Sequence, residues 1–464
     1  MTPARSRLRL AFYGDDLTGS TDALEALVLA GSRAVLFLDP PAPADLARHP
    51  GVEAVGVAGA TRALRTAAMA GVLRPAFRAL RDLGPRHVHY KICSTFDSSA
   101  AIGSIGRAIE VGAEVFGAPY VPLLGGAPGL GRYCVFGNLF ARVGIGTAGA
   151  IHRLDRLEAM AGHAVTPAEE SDLRRHLGRQ TRKRIGLLDL LQLGLSRRES
   201  KAALRRLVAG GAEVVLFDAL GEGDLRRVGE LLEAAARPGH ALFSVGPSSV
   251  EAALATQWGL AGRRPPPRRP APAAGPVLVA SGSCSPVTES QIAFALAHGF
   301  AEVKLDPEAA LGGLAPWADE AAAAAAARHL GRGRSVVLHT SRGTSDPRFA
   351  AARRWGRRRA LAPEAVGARL GSALGLTVRR VLGAVRLRRV VVAGGDTSSH
   401  AARALGVRSL AMTAAVTRGG PLCRADAPAS PLDGCEVVFK GGQVGGPEYF
   451  GRFDPRLARR HLYE

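Results

Sequence analysis

The feature that most constrains the fold is a regular alternation of short apolar runs with helix-compatible stretches along the 464 residues. Strands that alternate with helices form largely parallel sheets with helices on both faces, so we predict an α/β chain of two domains, each built on such a sheet. Ligands of these sheets bind at the carboxyl ends of the strands. The predicted strands of the first half are Leu8–Tyr13, Ala34–Leu38, Val52–Ala58, His87–Ile92, Tyr120–Leu124 and Val214–Phe217. Those of the second half are Val277–Ala280, Val336–His339, Val390–Ala393, Ser409–Met412 and Val437–Phe439, and the predicted helices include Thr21–Ala30 and Ile102–Val111.

A proline- and arginine-rich segment, RRPPPRRPAPAAGP, separates the two halves at residues 263–276. Proline lacks an amide N–H and stiffens the chain, so this segment indicates an extended linker. We therefore predict an N-terminal domain at residues 1–262 and a C-terminal domain at residues 277–464.

The net charge of +21 arises almost entirely from arginine. Three interpretations stay open: a composition bias that places arginine on solvated faces, attraction of small anionic substrates, and binding of nucleic acid. The basic clusters are dispersed, and aromatic residues make up only 5% of the chain, so we expect no nucleic-acid partner.

The chain lacks the sequence signals of export and of membrane insertion. No apolar run approaches the ~20 residues that span a bilayer, and the basic N-terminus runs into Asp15 and Asp16 without an apolar stretch. The five cysteines are widely spaced and contain no CxxC pair, which argues against a disulfide framework or a structural zinc site. We expect a cytoplasmic protein, and a homodimer is one open possibility.

Two adjacent carboxylates, Asp15 and Asp16, follow the first predicted strand in YGDDLTGSTDALEAL. Buried carboxylates need cations or hydroxyl groups as partners, so this pair could bind sugar hydroxyls, act as a base or hold Mg²⁺ through water. The alternative is an N-cap of the following helix, which we expect to begin near Ser20 or Thr21. Asp22 is interpreted as a residue of the first helical turn.

A lysine inside an apolar strand, Lys91, leads into the polar turn of HYKICSTFDSS. A buried lysine needs an anionic partner, and a substrate carboxylate would serve. The alternative is a lysine at the sheet edge, followed by a Ser/Thr/Asp turn that caps the next helix.

Three segments of the second half combine a strand end with glycines and small polar residues. They are VLVASGSCSPVTESQ, VVVAGGDTSSHAA and VVFKGGQVGG. Backbone N–H groups of such loops and helix starts suit phosphate oxygens, although there is no Walker A triplet. Lys440 could neutralise phosphate charge. The alternatives are a plain strand–turn–helix with Asp396 or Thr397 as the helix N-cap, and a hairpin turn at KGGQVGG.

In this order and spacing, the segments resemble the four-carbon acid sugar kinase family, which includes threonate, erythronate and 3-oxo-tetronate kinases. DDLTGSTD is similar to the family's opening DDxTGAxD signature, and YKICSTFDSS is similar to the CSTFDST segment of the 3-oxo-tetronate branch. SGSCSPVT, AGGDTSS and KGGQVGG resemble the three nucleotide-side segments of the C-terminal domain.

The resemblance implies ATP- and Mg²⁺-dependent phosphorylation of a hydroxyl on a four-carbon acid sugar, with an acid-sugar domain, a nucleotide domain and the active site in the cleft between them. It identifies no metal ligands. The residues implied to face the sugar acid are Asp15, Asp16, Arg62, Lys91, Ser94 and Asp97. Those implied to face the nucleotide are Ser281, Ser283, Gly394, Gly395, Asp396, Thr397, Gly441, Gly442 and Gln443.

Phosphoryl transfer needs mainly alignment of the reacting groups and neutralisation of their charge, and this requirement suggests a role for each of these residues. We assign Arg62 and Lys91 to the substrate carboxylate, and Asp16 to orienting or deprotonating the attacking hydroxyl. A nucleotide-cofactor dehydrogenase is disfavoured because Gly14 to Gly19 lack the GxGxxG fingerprint. A non-catalytic metabolite sensor or nucleic-acid binder remains the alternative from another class.

Overall fold

A computed structural model describes residues 8–143, 149–157, 166–260, 263, 275–312 and 318–458. The chain divides into two compact units, unit 1 at Met1–Pro265 and unit 2 at Pro266–Glu464. Most of the predicted linker at residues 263–276 lies outside the described residues, and the exact domain bounds stay a prediction.

Unit 1 is built on a parallel sheet with helices between the strands. Its strands are β1 (Leu10–Gly14), β2 (Ala34–Phe37), β3 (Ala54–Ala58), β4 (His87–Lys91), β5 (Val121–Leu124), β6 (Arg132–Val135), β7 (Asn138–Arg142), β8 (Ile151–Arg153), β9 (Ile185–Leu188), β10 (Val214–Phe217) and β11 (Leu242–Gly246). Its helices are α1 (Leu17–Leu29), α2 (Pro43–Ala47), α3 (Thr66–Asp82), α4 (Ile105–Phe116), α5 (Leu173–Gly178), α6 (Leu190–Gly194), α7 (Arg197–Ala209), α8 (Glu222–Ala235) and α9 (Ser249–Ala255).

The main sheet of unit 1 has the strand order β2-β3-β1-β4-β11-β5-β10-β9, and the neighbouring strands are parallel. Gly14 at the end of β1 pairs with Ala58 of β3 and with Lys91 of β4. These three strands therefore end at one level, and the residues that follow them meet at one edge of the sheet. β6, β7 and β8 form a separate antiparallel sheet.

Unit 2 is built on a second, mostly parallel sheet. Its strands are β12 (Leu278–Ser281), β13 (Ala301–Lys304), β14 (Val336–His339), β15 (Arg389–Ala393), β16 (Ser409–Ala414), β17 (Leu422–Asp426) and β18 (Glu436–Lys440). Its helices are α10 (Pro286–Ala297), α11 (Pro307–Leu311), α12 (Glu320–Gly331), α13 (Pro347–Arg358), α14 (Pro363–Ala384), α15 (Gly395–Ala404) and α16 (Pro455–Ala458). The order is β13-β14-β12-β15-β18-β17-β16, with β17 antiparallel to both of its neighbours.

The prediction of an α/β chain with largely parallel, helix-flanked sheets is confirmed, and every predicted strand lies on an observed one. Two helix positions differ from the prediction. α1 begins at Leu17 rather than at Ser20 or Thr21, because Asp16 caps it, and α4 begins at Ile105 rather than at Ile102, because Ser104 caps it. In both segments the apolar pattern indicates the helix, whereas the short polar residue in front of it sets the start.

An aromatic cluster fills the core of unit 1 around Phe77 of α3. The Phe77 ring lies 6.1 Å from the ring of Tyr13, 5.9 Å from Tyr90 and 5.2 Å from Phe243, measured between ring centroids. Phe77 is fully buried. Since Tyr13 and Tyr90 lie near the ends of β1 and β4, this cluster fixes the strand ends that carry the polar residues described below.

We expect Phe77→Ala to lower the free energy of unfolding by about 3–5 kcal/mol, because it leaves a cavity among four aromatic rings, those of Tyr13, Tyr90, Phe116 and Phe243. Equilibrium urea unfolding measures the change. The matched control is Phe136→Ala, because Phe136 is 48% exposed and should lose less than about 1 kcal/mol. Equal losses for the two variants would contradict this description of the core.

Candidate functional site

The guanidinium of Arg62 binds both carboxylates that follow β1. Arg62 donates from Nε to Asp15 Oδ2 (3.0 Å) and from Nη2 to Asp15 Oδ1 (2.7 Å). It also donates from Nη1 to Asp16 Oδ2 and from Nη2 to Asp16 Oδ1, both at 2.9 Å. Both carboxylates are buried, so this double fork supplies the cation that their burial requires.

Asp16 is also the N-cap of α1. Its Oδ1 accepts from the Gly19 amide (2.7 Å) and its Oδ2 accepts from the Thr18 hydroxyl (2.7 Å). Burial alone would raise the pKa of Asp16, but Arg62, Thr18 and the Lys91 charge together hold it below its ordinary value. Burial raises the pKa of Asp15 above its ordinary value, despite the opposing charge of Arg62. A proton entering this pair therefore goes to Asp15.

Lys91 lies at the end of β4 with its side chain buried. Its Nζ donates to the Ile92 carbonyl oxygen (3.0 Å) and lies 3.7 Å from Asp22 Oδ2. Asp22 is in the second turn of α1 and faces the lysine, whereas the sequence was interpreted to place it in the first turn. The anionic partner that Lys91 requires is thus present within the protein.

The turn after β4 interacts electrostatically with a second arginine, Arg132 at the start of β6. Asp97 accepts from the Thr95 hydroxyl (2.7 Å), which in turn contacts the Cys93 thiol (2.9 Å). Burial raises the pKa of the Cys93 thiol to about 12, with Asp97 and Asp15 acting in the same direction and Arg62 against them. Burial lowers the pKa of Arg132, which the charges of Cys93 and Asp97 oppose. Cys93 therefore lies within electrostatic reach of both arginines.

Arg132 differs from Arg62 in its partners. Its Nη1 donates to the carbonyl oxygens of Leu130 (3.0 Å), Gly131 (3.3 Å) and Arg142 (3.1 Å), while its buried Nε has no acceptor. Across the described part of the chain, no carboxylate lies within ion-pair distance of Arg132. Its charge is therefore available to an anionic ligand, whereas that of Arg62 is already shared by two carboxylates.

In unit 2, three strand ends lie side by side and are joined by backbone hydrogen bonds. The Gly282 amide donates to the Ala393 carbonyl oxygen (3.0 Å), and the Gly394 amide donates to that of Lys440 (2.9 Å). The loops that follow β12, β15 and β18 consequently meet at one edge of the sheet, as the rule for parallel sheets requires. Ser283, Gly394 and Gly442 belong to these loops, while Ser281 is the last residue of β12 and Thr397 lies in the first turn of α15.

Two glycines allow these loops to touch. A Cβ atom on Gly442 would lie 2.7 Å from Ser283 Oγ and 3.0 Å from Ser285 Cβ, so a side chain there would force the serine loop to shift. Gly394 has φ 128°, and a Cβ there would lie 3.2 Å from the Ser283 nitrogen. Gly394 is the N-cap of α15, so Gly395, Asp396 and Thr397 form its first turn, and neither Asp396 nor Thr397 is the cap that the alternative interpretation proposed.

The glycine loop, residues 441–446, packs on α10. Thr288 Oγ1 donates to the Gly442 carbonyl oxygen (2.9 Å), and Gln291 Nε2 donates to that of Val444 (2.9 Å). Lys440 Nζ donates to Gln291 Oε1 (2.9 Å) and lies 5.6 Å from the ring centroids of Tyr449 and Phe450. The Lys440 side chain is fully buried in these contacts, and the idea that it neutralises phosphate charge stays a prediction.

No group of three or more His, Cys, Asp or Glu residues with the geometry of a metal site occurs within the described ranges. Mg²⁺ in nucleotide sites is held by one or two carboxylates together with the phosphates. Asp396, in the first turn of α15, fits that arrangement. Likewise, the helices of the described segments include none that is long and apolar enough to cross a membrane.

Two domain families match the two halves of the chain. Residues 10–254 match the sugar-binding N-terminal domain, and residues 278–450 match the nucleotide-binding C-terminal domain. The chain belongs to the four-carbon acid sugar kinase family. The predictions of this family and of an ATP-dependent carbohydrate kinase are both confirmed.

Curated relatives of this kinase align with it over nearly its whole length. The 3-oxo-isoapionate kinase of Paraburkholderia graminis is 43% identical over 449 residues, covering 96% of this chain and 93% of the relative. The 3-oxo-tetronate kinase of Methylobacterium radiotolerans is 31% identical over 451 residues, covering 96% and 98%. That of Pseudomonas fluorescens is 30% identical over 462 residues, covering 99% of each chain.

Solved structures share the fold of the kinase. A structure from Salmonella typhimurium LT2 has a TM-score of 0.71 and 25% identity, and it covers 98% of this chain and 100% of its own. Haemophilus influenzae protein HI1011, of family DUF1537, has a TM-score of 0.67 and 20% identity, covering 95% and 98%.

The structure places the sequence-predicted site residues of the kinase in two groups, and their individual roles stay predictions. Asp15, Asp16, Arg62 and Lys91 contact one another or a shared partner in unit 1, while Ser94 and Asp97 lie on the adjoining turn. Sequence reasoning left Arg132, Asp22, Thr288 and Gln291 out of the predicted site. Gly131 and Arg132 partly keep a Gly-Arg pattern that the family resemblance places in the sugar half, but nothing in the pattern of a helix indicates that Gln291 is buried against a loop.

The buried ammonium of Lys440 gives this kinase a specific pH dependence. Burial lowers the pKa of Lys440 to about 7 in the folded state, against ~10.4 for an unfolded chain. Between these values the unfolded state binds more protons, so Lys440 raises the free energy of unfolding with pH by up to about 1.4 kcal/mol per pH unit. We expect the stability of the wild type relative to Lys440→Met to increase between pH 7 and pH 10 in urea unfolding.

The control for this prediction is Lys304→Met, which removes an exposed lysine of the same unit. It should retain the pH dependence of the wild type. A constant difference between wild type and Lys440→Met across this range would show that Lys440 keeps its proton in the folded protein.

Proposed function

We propose that this kinase transfers the γ-phosphoryl group of ATP to a hydroxyl of a small 3-oxo sugar acid. The observation that carries the proposal is the near full-length similarity to the 3-oxo-isoapionate kinase, at 43% identity, with 3-oxo-tetronate kinases following at 31% and 30%. The names of these relatives share a 3-oxo acid as the substrate. The higher identity favours 3-oxo-isoapionate over the tetronates.

The charge balance of the unit 1 cluster supports a different assignment of the substrate carboxylate from that made from sequence. Asp15, Asp16 and Asp22 bring three carboxylates, whereas Arg62 and Lys91 bring two cations that these carboxylates already engage. An acidic substrate would meet net repulsion there. Arg132 supplies a buried guanidinium with an unused Nε, and we assign the substrate carboxylate to it.

In this proposal, Asp15 and Asp16 orient and deprotonate the attacking hydroxyl. In the transfer, the hydroxyl oxygen forms a bond to the γ-phosphorus, the bond from that phosphorus to the β–γ bridging oxygen breaks, and the hydroxyl proton leaves. Asp16, held ionised by Arg62 and the start of α1, orients the hydroxyl. Asp15 has the higher proton affinity of the pair and is the better acceptor for the proton.

We assign nucleotide binding to the loops after β12, β15 and β18 and to the helix starts beside them. Ser281 and Ser283 offer hydroxyl donors to the phosphates, and Gly395 and Thr397 offer amide donors at the start of α15, where Gly394 lets the backbone approach while its own amide stays bonded to Lys440. Gly441, Gly442 and Gln443 belong to the glycine loop on the same edge. Mg²⁺ would be held by Asp396 and the phosphates and would withdraw charge from the transferred group. A homodimer and a cytoplasmic location stay predictions.

The direct test measures ADP formation from ATP with 3-oxo-isoapionate, 3-oxo-tetronate, threonate and erythronate as acceptors. We expect a 3-oxo acid to give the highest kcat/KM. Asp16→Asn should lower kcat by about 10²–10⁴-fold, because it removes a charge at the reacting hydroxyl. Asparagine still caps a helix, so the fold and ATP binding should be retained. No ADP above background with any of these acids would refute the proposal, and wild-type turnover would remove Asp16 from the mechanism.

The role of Arg132 has its own test. Arg132→Met should raise KM for the sugar acid at least about 10-fold and leave KM for ATP nearly unchanged, since it removes one charge-assisted fork. The matched control is Arg74→Met, which breaks an exposed ion pair with Glu114 and should not change either KM. If Arg132→Met binds the acid as tightly as the wild type does, the carboxylate is bound elsewhere.

A further inference from the structure

Four peptide planes of the glycine loop are turned with their carbonyl oxygens toward α10. Gln291 Nε2 donates to the carbonyl oxygens of Val444 (2.9 Å), Gly445 (3.1 Å) and Gly446 (3.1 Å). Thr288 Oγ1 holds the carbonyl oxygen of Gly442 at 2.9 Å. Four carbonyl oxygens of one short loop therefore point inward, toward one face of one helix.

The direction of these carbonyl groups determines the direction of the N–H groups that follow them. In a trans peptide the N–H is directed opposite to the preceding C=O, and the described residues contain no cis peptide bond. The amides of Gln443, Gly445 and Gly446 are therefore directed away from α10. None of these three amides has a hydrogen-bond acceptor within the part of the chain that the structure describes. Outward N–H groups without an acceptor of their own can donate to the oxygens of an anion.

Lys440 decides which end of the Gln291 amide faces the loop. When Lys440 is protonated it can only donate, so its ammonium then requires the Gln291 oxygen, which it contacts at 2.9 Å. The NH₂ group of Gln291 is thereby left to face the three carbonyl oxygens. Gln291 and Lys440 are fully buried, and Lys440 Nζ also lies 3.4 Å from Thr288 Oγ1. The three side chains thus form one connected buried network beneath the loop.

We propose that Thr288, Gln291 and Lys440 are positioning residues that hold the amides of the glycine loop toward the phosphates of the nucleotide. This inference rests on the proposed function, which places a nucleotide at this edge of unit 2. The three side chains act through the backbone and do not contact the ligand themselves. They make the loop a preformed site, so its amides need no reordering when the phosphates arrive.

The test uses Gln291→Glu and Thr288→Val in the full-length kinase. The first substitution keeps an acceptor for Lys440 but sets a carboxylate, which cannot donate, against three carbonyl oxygens; the second removes one donor at nearly constant size. We expect the Kd for ADP with Mg²⁺, measured by calorimetry without sugar acid, to rise at least about 10-fold for Gln291→Glu and about 5-fold for Thr288→Val. In turnover assays, KM for ATP should rise while KM for the sugar acid stays unchanged.

The matched control is Thr377→Val. Thr377 is likewise fully buried in a helix of unit 2, and its hydroxyl donates to the Ala373 carbonyl oxygen (2.8 Å), remote in sequence from the glycine loop. It should lose thermal stability as Thr288→Val does and keep the wild-type affinity for ADP. If Gln291→Glu fails to fold, Thr288→Val against Thr377→Val decides the question alone.

The outcomes separate this inference from the proposed function. A wild-type protein that does not bind ADP or ATP would refute the proposed function itself. A wild type that binds ADP, with Thr288→Val and any folded Gln291→Glu binding it equally well, would overturn the positioning role and leave the proposed function intact. An equal loss of affinity in Thr377→Val would also overturn it, because the effect would then reflect general loosening of unit 2.

Discussion

Two adjacent carboxylates buried at the end of a strand require a cation, and the chemistry of unit 1 depends on how Arg62 supplies it. A carboxylate stripped of water is costly unless its charge is matched and its oxygens are hydrogen-bonded. The planar fork of one guanidinium reaches Asp15 and Asp16 at once, which a lysine could not do. Arg62 follows β3 and the carboxylates follow β1, so the ion pair also ties neighbouring strand ends together.

Unit 2 meets the same physical constraint with different chemistry. Lys440 is as deeply buried as Asp16, but its described partners are an amide oxygen, a hydroxyl and two aromatic faces, with no carboxylate. Neutral partners compensate an ammonium less completely than a carboxylate does, and burial lowers the pKa of Lys440 accordingly. In return, the contact with Lys440 fixes the orientation of the Gln291 amide, so that its donor hydrogens face the glycine loop and hold that loop in place.

The two units also differ in the electrostatic environment that they would offer to a negatively charged ligand. In the proposed function, a sugar acid would bring a negative charge to a cluster in which carboxylates outnumber cations, and we assign it to Arg132, a buried arginine with no acidic partner among the described residues. The nucleotide would bring more charge, but it would meet backbone amides and helix starts, whose partial charges need no counterion of their own. On this proposal, specificity for the acid would rest on side chains of unit 1 and phosphate binding on the backbone of unit 2.

The sequence by itself determined the fold class, the family and the segments that bear the site. Apolar runs and glycine-rich strand ends are local signals. Segments such as DDLTGSTD and KGGQVGG can be recognised from the sequence without knowing which residues contact them in the folded protein. The tertiary structure decided the partners: Arg62 is already engaged by Asp15 and Asp16, Lys91 faces Asp22, and Lys440 is turned inward to Gln291. The physical reason is that the role of a charged group is set by the groups that neutralise it. Those groups come from strands and helices distant in sequence, which only folding brings within hydrogen-bond range.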